Sequence, residues 1–121
     1  MRTNILKIAT SLAFALAATS AFAHAQLEKA VPPVGGTVSP PSEIRLEFSE
    51  GVELKFTKVT LTGPDGAAAP LGAARTESGN QEVLIVPISK PLSAGVYTVR
   101  WHAVSVDTHH TQGTFEFTVK P

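Results

Sequence analysis

The sequence predicts an all-β fold, an antiparallel β-sandwich of the Greek-key type. Three observations indicate this class. Helix patterns are almost absent after the first 23 residues, short runs alternate between apolar and polar side chains, and clusters of proline and glycine separate those runs. Several short strands with such turns within about 100 residues are typical of a sandwich of two sheets.

The strands can be followed in chain order. In the first of them Ile44, Leu46 and Phe48 alternate with charged residues, the period expected of a strand with one buried face. Four later runs have a similar pattern or are more densely apolar. The five predicted strands cover residues 43–48, 58–62, 82–86, 97–102 and 115–120, and residues 63–80 are predicted to form a loop.

The first 23 residues have the pattern of a secretory signal. Arg2 and Lys7 precede a mostly apolar run, and Ala21-Phe22-Ala23 has small residues where a signal peptidase cleaves. The run is too short to span a bilayer, which needs about 20 residues. We therefore expect a signal peptide at 1–23 and one mature domain at 24–121, with His24 as its first residue.

The composition narrows the possible functions. The mature domain contains no cysteine, and Met1, the sole methionine, leaves with the signal. Any metal ion must therefore be bound by nitrogen and oxygen. The sequence contains no basic patch, the feature that would indicate nucleic-acid binding. It also contains neither a nucleophile elbow nor a phosphate-binding glycine loop, two features that would indicate an enzyme.

Histidines and one aspartate are the candidate metal ligands of this sequence. Asp107 and His109 are two residues apart, so in an extended segment their side chains would project to the same side. Cleavage after Ala23 would give His24 two donors, its α-amine and its ring nitrogen. Such a set of nitrogen and oxygen donors favours Cu(II), then Ni(II), while Zn(II) stays possible in a tetrahedral arrangement.

Three other residues are candidates for a place in or around this site. His102 is predicted to be a solvent-facing strand residue, and His110 to point away from His109, at the surface or behind the ligands. Glu50 ends a strand, where it is either a surface carboxylate or a partner of the metal site.

Two long motifs resemble the CopC family of periplasmic copper-binding proteins. They are PPVGGTVSPPSEIRLEFSEGVE and PLSAGVYTVRWHAVSVDTHHTQGTFEFTV, and they follow His24 in the order and spacing of that family. The resemblance implies an immunoglobulin-like, cupredoxin-like sandwich with a Cu(II) site formed by His24, Asp107 and His109, and with Glu50 nearby.

The resemblance also implies a cellular role. Family members act in the periplasm in copper resistance or uptake, beside a CopD-type inner-membrane protein, and we expect a monomer. Many members have proline at the position of His110. Others hold Cu(I) in a methionine-rich segment, where this chain has GPDGAAAPLGAARTESG. Lacking those thioethers, it is expected to bind Cu(II) alone.

Two other functions are compatible with these residues. A terminal histidine chelate also occurs in copper oxygenases that act on polysaccharides, but one tryptophan and one tyrosine would make a small surface for sugar stacking. The second alternative is a sandwich that binds no metal.

Overall fold

The computed structural model describes residues 25–121, so the predicted signal peptide and His24 lie outside the described range. Within that range nine strands form two sheets that pack face to face. The strands are β1 Leu27–Val31, β2 Thr37–Val38, β3 Glu43–Phe48, β4 Lys58–Thr62, β5 Ala68–Ala69, β6 Arg75–Glu77, β7 Asn80–Pro87, β8 Gly95–Val104 and β9 His110–Val119. A short 3-10 turn covers Leu54–Phe56.

The two sheets confirm the predicted sandwich. One has four strands in the order β1-β3-β7-β6, and the other has five in the order β2-β9-β8-β4-β5. All pairs are antiparallel except β2 with β9, which run parallel. In residues 25–121 no helix is both long and apolar enough to cross a membrane.

The five predicted strands are the interior strands, and the four that the sequence did not predict are the edges. β1, β2, β5 and β6 each pair on one side only. An edge strand needs fewer buried side chains, so its alternation is weak. In β1 the register also shifts between Leu27 and Lys29, which breaks the period. The predicted loop at 63–80 is therefore wrong in part, since it contains β5 and β6.

Aromatic side chains fill the space between the sheets. The rings of Tyr97 and Phe117 stack with their centroids 5.6 Å apart. The rings of Phe48 and Trp101 form an edge-to-face pair with their centroids 5.3 Å apart, which joins β3 of one sheet to β8 of the other. Such aromatic pairs contribute about 0.5–1.5 kcal/mol beyond the burial of their area. Phe48 and Phe117 are among the largest fully buried side chains of the described residues.

The hairpin of β8 and β9 carries the residues of functional interest. The two strands pair along their full length, from Gly95 opposite Val119 to Val104 opposite His110. Residues 105–109 connect them at the far end, so the Asp-x-His motif lies on the loop of a long, internally placed hairpin.

Gly113 provides a test of this packing. It lies directly opposite Trp101, and a Cβ added there would come within 2.6 Å of the indole Cζ2. We expect Gly113→Ala to destabilise the fold, because overpacking costs about 1–3 kcal/mol and replacing a strand glycine returns only roughly 0.5–1 kcal/mol. Urea unfolding followed by Trp101 fluorescence measures the change.

The exposed neighbour Thr114 supplies the control. Thr114→Ala on the same strand should lower the free energy of unfolding by less than about 1 kcal/mol, the range of strand propensity. A Gly113→Ala protein as stable as the unsubstituted chain would contradict the contact with Trp101.

Candidate metal centre

A tight loop brings the Asp-x-His motif into position at the end of the β8–β9 hairpin. The backbone N–H of Ser105 donates to the carbonyl of His109 at 2.9 Å, and the N–H of Thr108 donates to the carbonyl of Ser105 at 2.8 Å. Thr108 has a φ of 74°, in the left-handed region. This region is uncommon for a β-branched residue, so the loop has a specific, constrained shape.

The loop places Asp107 and His109 side by side. The carboxylate Oδ1 of Asp107 lies 3.2 Å from the ring Nδ1 of His109. The sequence predicted that the two side chains would meet, but for the wrong reason, since the segment is not extended. Residues 106–108 form a turn, and the reversal of the backbone, not the two-residue period of a strand, makes the side chains converge.

Ser105 is hydrogen-bonded to both residues of this pair, a role that was not predicted from the sequence. Its side chain is fully buried, and its hydroxyl donates to Oδ1 of Asp107. The same Oγ accepts a hydrogen bond from the backbone N–H of His109 at 3.2 Å. A buried hydroxyl needs such partners, because an unsatisfied one is costly. The signal in the sequence was a serine two residues before the aspartate, a spacing that allows a side-chain bond across a turn.

These contacts favour the ionised form of Asp107. The hydrogen bond from the Ser105 hydroxyl holds the pKa of the Asp107 carboxyl below its ordinary value, and contacts with His109 act in the same direction. Partial desolvation opposes them. The carboxylate is therefore available as a metal-binding oxygen well into the acidic range.

The beginning of the described chain is fastened beside this loop. The carbonyl of Ala25 accepts a hydrogen bond from Thr111 Oγ1 at 2.7 Å. The N–H of Gln26 donates to Ser49 Oγ at 2.9 Å, and the N–H of Ser49 donates to the carbonyl of Gln26 at 2.8 Å. Ala25 is buried. Residue 25 is thus held against Thr111, two residues after His109.

Glu50 lies in the segment that runs along the other side of the loop. The carbonyl of Gly51 accepts a hydrogen bond from the N–H of Val106 at 2.9 Å, and Val52 forms an antiparallel bridge with Ser105. Within residues 25–121 no group of three or more histidine, aspartate or glutamate side chains is arranged to hold a metal ion. Glu50 does not complete such a group with Asp107 and His109.

The two remaining histidines form a separate pair. His102 Nε2 lies 3.3 Å from His110 Nδ1, with the rings tilted by 50°. His102 is half-buried and His110 is exposed. His109 and His110 are consecutive, yet one contacts Asp107 and the other contacts His102.

Comparisons with known proteins identify relatives of this chain. The model of the CopC domain family matches residues 27–120. Protein YobA of Escherichia coli K12 is 41% identical over 110 residues, which cover 90% of this chain and 89% of that protein. Copper resistance protein C of Escherichia coli is 38% identical over 109 residues, covering 85% of this chain and 86% of that protein.

A solved structure extends the comparison to the fold. PcoC, a methionine-rich copper resistance protein from Escherichia coli, superimposes with a TM-score of 0.73 at 34% identity, covering 81% of this chain and all of that one. This chain has a single methionine, Met1, so it differs from PcoC in the feature for which that protein is described.

The contact between Ser105 and Asp107 generates a prediction about pH. Ser105→Ala should raise the pKa of the Asp107 carboxyl toward its ordinary value, because the strongest cause of the depression is removed. Carbon-detected NMR titration of the aspartate carboxyls measures this directly. Ser93→Ala, which removes a hydroxyl 3.3 Å from the Tyr97 hydroxyl at a distance from the loop, is the control.

The sign of the effect on stability follows from the depressed pKa. Asp107 stabilises the folded state above the pKa it has in the unfolded chain, and this contribution disappears as pH falls through its lower folded-state pKa. The pH-dependent part of the stability difference between the parent and Ser105→Ala should therefore shrink in acid. An Asp107 pKa that is the same in both proteins would contradict the role given to Ser105.

Proposed function

This chain belongs to the CopC domain family, and we propose that it binds Cu(II) in the periplasm, for copper resistance, sequestration or delivery. The observation that carries the proposal is the Asp107–His109 pair, whose donor atoms are 3.2 Å apart. Two donors at that separation can share one ion at metal–ligand distances of about 2.0–2.2 Å. Imidazole and carboxylate donors suit Cu(II), and copper is here the cargo of the protein.

His24 completes the proposed ligand set. Cleavage after Ala23 would free its α-amine, and the amine and ring together would chelate the ion beside His109 and Asp107. The fastening of Ala25 to Thr111 supports this set, because the residue before Ala25 is covalently attached at a fixed point close to the loop. Consecutive Cα atoms are about 3.8 Å apart, so a ligand on the residue before Ala25 would have to lie close to this point.

Glu50 is proposed as a supporting carboxylate. Its segment is bonded to the loop through Gly51 and Val106. A carboxylate at that place can orient a ligating imidazole or balance the charge of the ion, as outer groups commonly do at metal sites.

The donor set favours the oxidised ion. Thioether sulfur, which selects Cu(I), is absent from the sequence after Met1. We therefore propose Cu(II) as the ion held at His24, Asp107 and His109. A CopD-type inner-membrane protein that receives the ion, a monomeric state and export by the signal at 1–23 belong to the same proposal.

A binding role fits the surface better than an oxygenase role does. Stacking of a polysaccharide needs exposed aromatic rings, and Tyr97 is only 3% exposed. Trp101 is partly buried against Phe48. Among the described aromatic residues Phe56 is the exposed one, at 57%, and a single ring makes a small platform for a sugar chain.

The first test concerns the terminal amine. A chain that begins at His24 should bind one Cu(II) tightly, with nitrogen hyperfine structure in its electron paramagnetic resonance spectrum. The same chain with one residue added before His24 should bind far more weakly, because its amine is no longer part of the chelate. Calorimetric titration of both proteins gives the affinities.

Asp107→Asn and His109→Gln belong in the same series. Each should weaken Cu(II) binding, since each removes one of the proposed donors. Equal affinity in the extended and unextended chains would mean that the amine is not a ligand, and the site would have to be sought in the loop alone.

The second test concerns pH. The α-amine has an ordinary pKa of about 8 and the imidazole one of about 6.5, and both must lose a proton to bind. Cu(II) affinity should therefore fall as pH decreases from about 8 to 5. Asp107 should contribute little to this fall, because its pKa lies below the ordinary value. Unchanged affinity between neutral pH and about pH 5 would contradict an amine-and-imidazole site.

A further inference from the structure

His102 and His110 offer two nitrogen donors outside the candidate Cu(II) site. His102 lies in the interior strand β8 and His110 begins β9. Their facing atoms, Nε2 and Nδ1, are 3.3 Å apart, with ring centroids separated by 5.2 Å. The arrangement depends on the pairing of β8 with β9, in which Val104 is opposite His110 and His102 is opposite Gln112.

The separation of the two nitrogens is informative. Hydrogen bonds from N–H to oxygen are most often about 2.9–3.0 Å long, and the 3.3 Å between these two ring nitrogens is longer than that. Two nitrogens bound at about 2.0–2.1 Å to a tetrahedral ion are roughly 3.3–3.4 Å apart.

We propose that His102 and His110 form a second metal site, for a closed-shell d10 ion such as Zn(II) or Cu(I). These ions accept imidazole nitrogen and have no preference for square-planar geometry. The site is chemically distinct from the tetragonal Cu(II) site, and it uses neither His24 nor Asp107. The inference therefore stands on the described side chains and does not rest on the proposed function.

The surroundings leave room for the remaining ligands. His102 and His110 line a hollow of about 790 Å³, whose other walls are Lys55, Phe56, Lys58, Val104 and Thr108. Two protein donors leave coordination positions open to water or to a small anion. The lysine side chains at the wall would attract such an anion.

The framework under the pair is well supported. β8 is bonded to both β4 and β9, with Lys58 and Gln112 opposite His102 on either side. The N–H of Val104 donates to the buried Thr57 hydroxyl at 3.1 Å. Both histidines thus project from a hydrogen-bonded sheet, which reduces the cost of ordering two ligands on one ion.

The test removes the first site before measuring the second. The parent for this series is the chain with one residue added before His24 and with His109→Gln, so that neither the terminal amine chelate nor the Asp107–His109 pair can contribute. His102→Gln and His110→Gln are added to it separately, and Arg100→Gln, on the same strand and two residues from His102, is the matched control. Zn(II) affinity is measured against a chromophoric zinc chelator, and Cu(I) affinity anaerobically against a Cu(I) chelator.

The expected result is a loss shared by both histidine variants. Removing an outer partner of a metal ligand already costs about 10–100-fold in affinity, so loss of a direct ligand should weaken the d10 ion at least roughly tenfold. Arg100→Gln should not weaken binding. In the parent, the ring nitrogens of His102 and His110 should shift together in long-range proton–nitrogen spectra as the ion is added.

Each outcome decides the proposal. Weaker binding of Zn(II), of Cu(I) or of both by the two histidine variants supports the site and identifies its ion. Equal affinity of the parent and both histidine variants for both ions overturns it, and the pair is then an imidazole–imidazole hydrogen bond only. His110→Gln changes an exposed side chain, so the test survives if His102→Gln fails to fold. Failure of the proposed Cu(II) site would appear instead as equal Cu(II) affinity of the extended and unextended chains, and His102→Gln would not report it.

Discussion

The pairing of β8 with β9 is the constraint on which the rest of the molecule depends. Ten residues of one strand are matched with ten of the other, from Gly95 and Val119 at one end to Val104 and His110 at the other. Inward residues of this hairpin supply Tyr97, Trp101 and Phe117 to the core. The loop at its far end carries the Asp-x-His motif. A shift of register by one residue would turn every side chain of the strand to the opposite face.

The loop shows how a buried polar atom can organise an exposed site. Ser105 marks the boundary between the core and solvent, with its side chain buried and its hydroxyl in contact with both Asp107 and the backbone of His109. The two donor side chains are themselves partly exposed, at 35% for Asp107 and 50% for His109. An ion bound there, as proposed, would be open to exchange with solvent, while the buried Ser105 hydroxyl maintains the positions of the two side chains.

Two nitrogen-rich places at one end of the sandwich have different chemistry. The proposed Cu(II) site combines an amine, imidazoles and a carboxylate, all of which a tetragonal ion accepts. The His102–His110 pair has no carboxylate among the residues that line its hollow, so its protein donors are imidazole nitrogens alone. The adjacent residues His109 and His110 are directed to different partners because the loop ends and β9 begins between them.

What the sequence determined by itself was the set of interior strands and, through its two long motifs, the family to which the chain belongs. In β3, Ile44, Leu46 and Phe48 alternate because that strand is covered on one face and paired on both sides, and such strands leave a visible pattern. The edge strands β1, β2, β5 and β6 leave little pattern, because each is short and pairs on one side only, so that few of its side chains are buried. The tertiary structure alone decided that Asp107 meets His109 through a turn at Thr108, that Ser105 holds them, and that His102 meets His110. Periodicity reports which face of a strand is buried, whereas these contacts depend on the path of a loop and on the register between two strands.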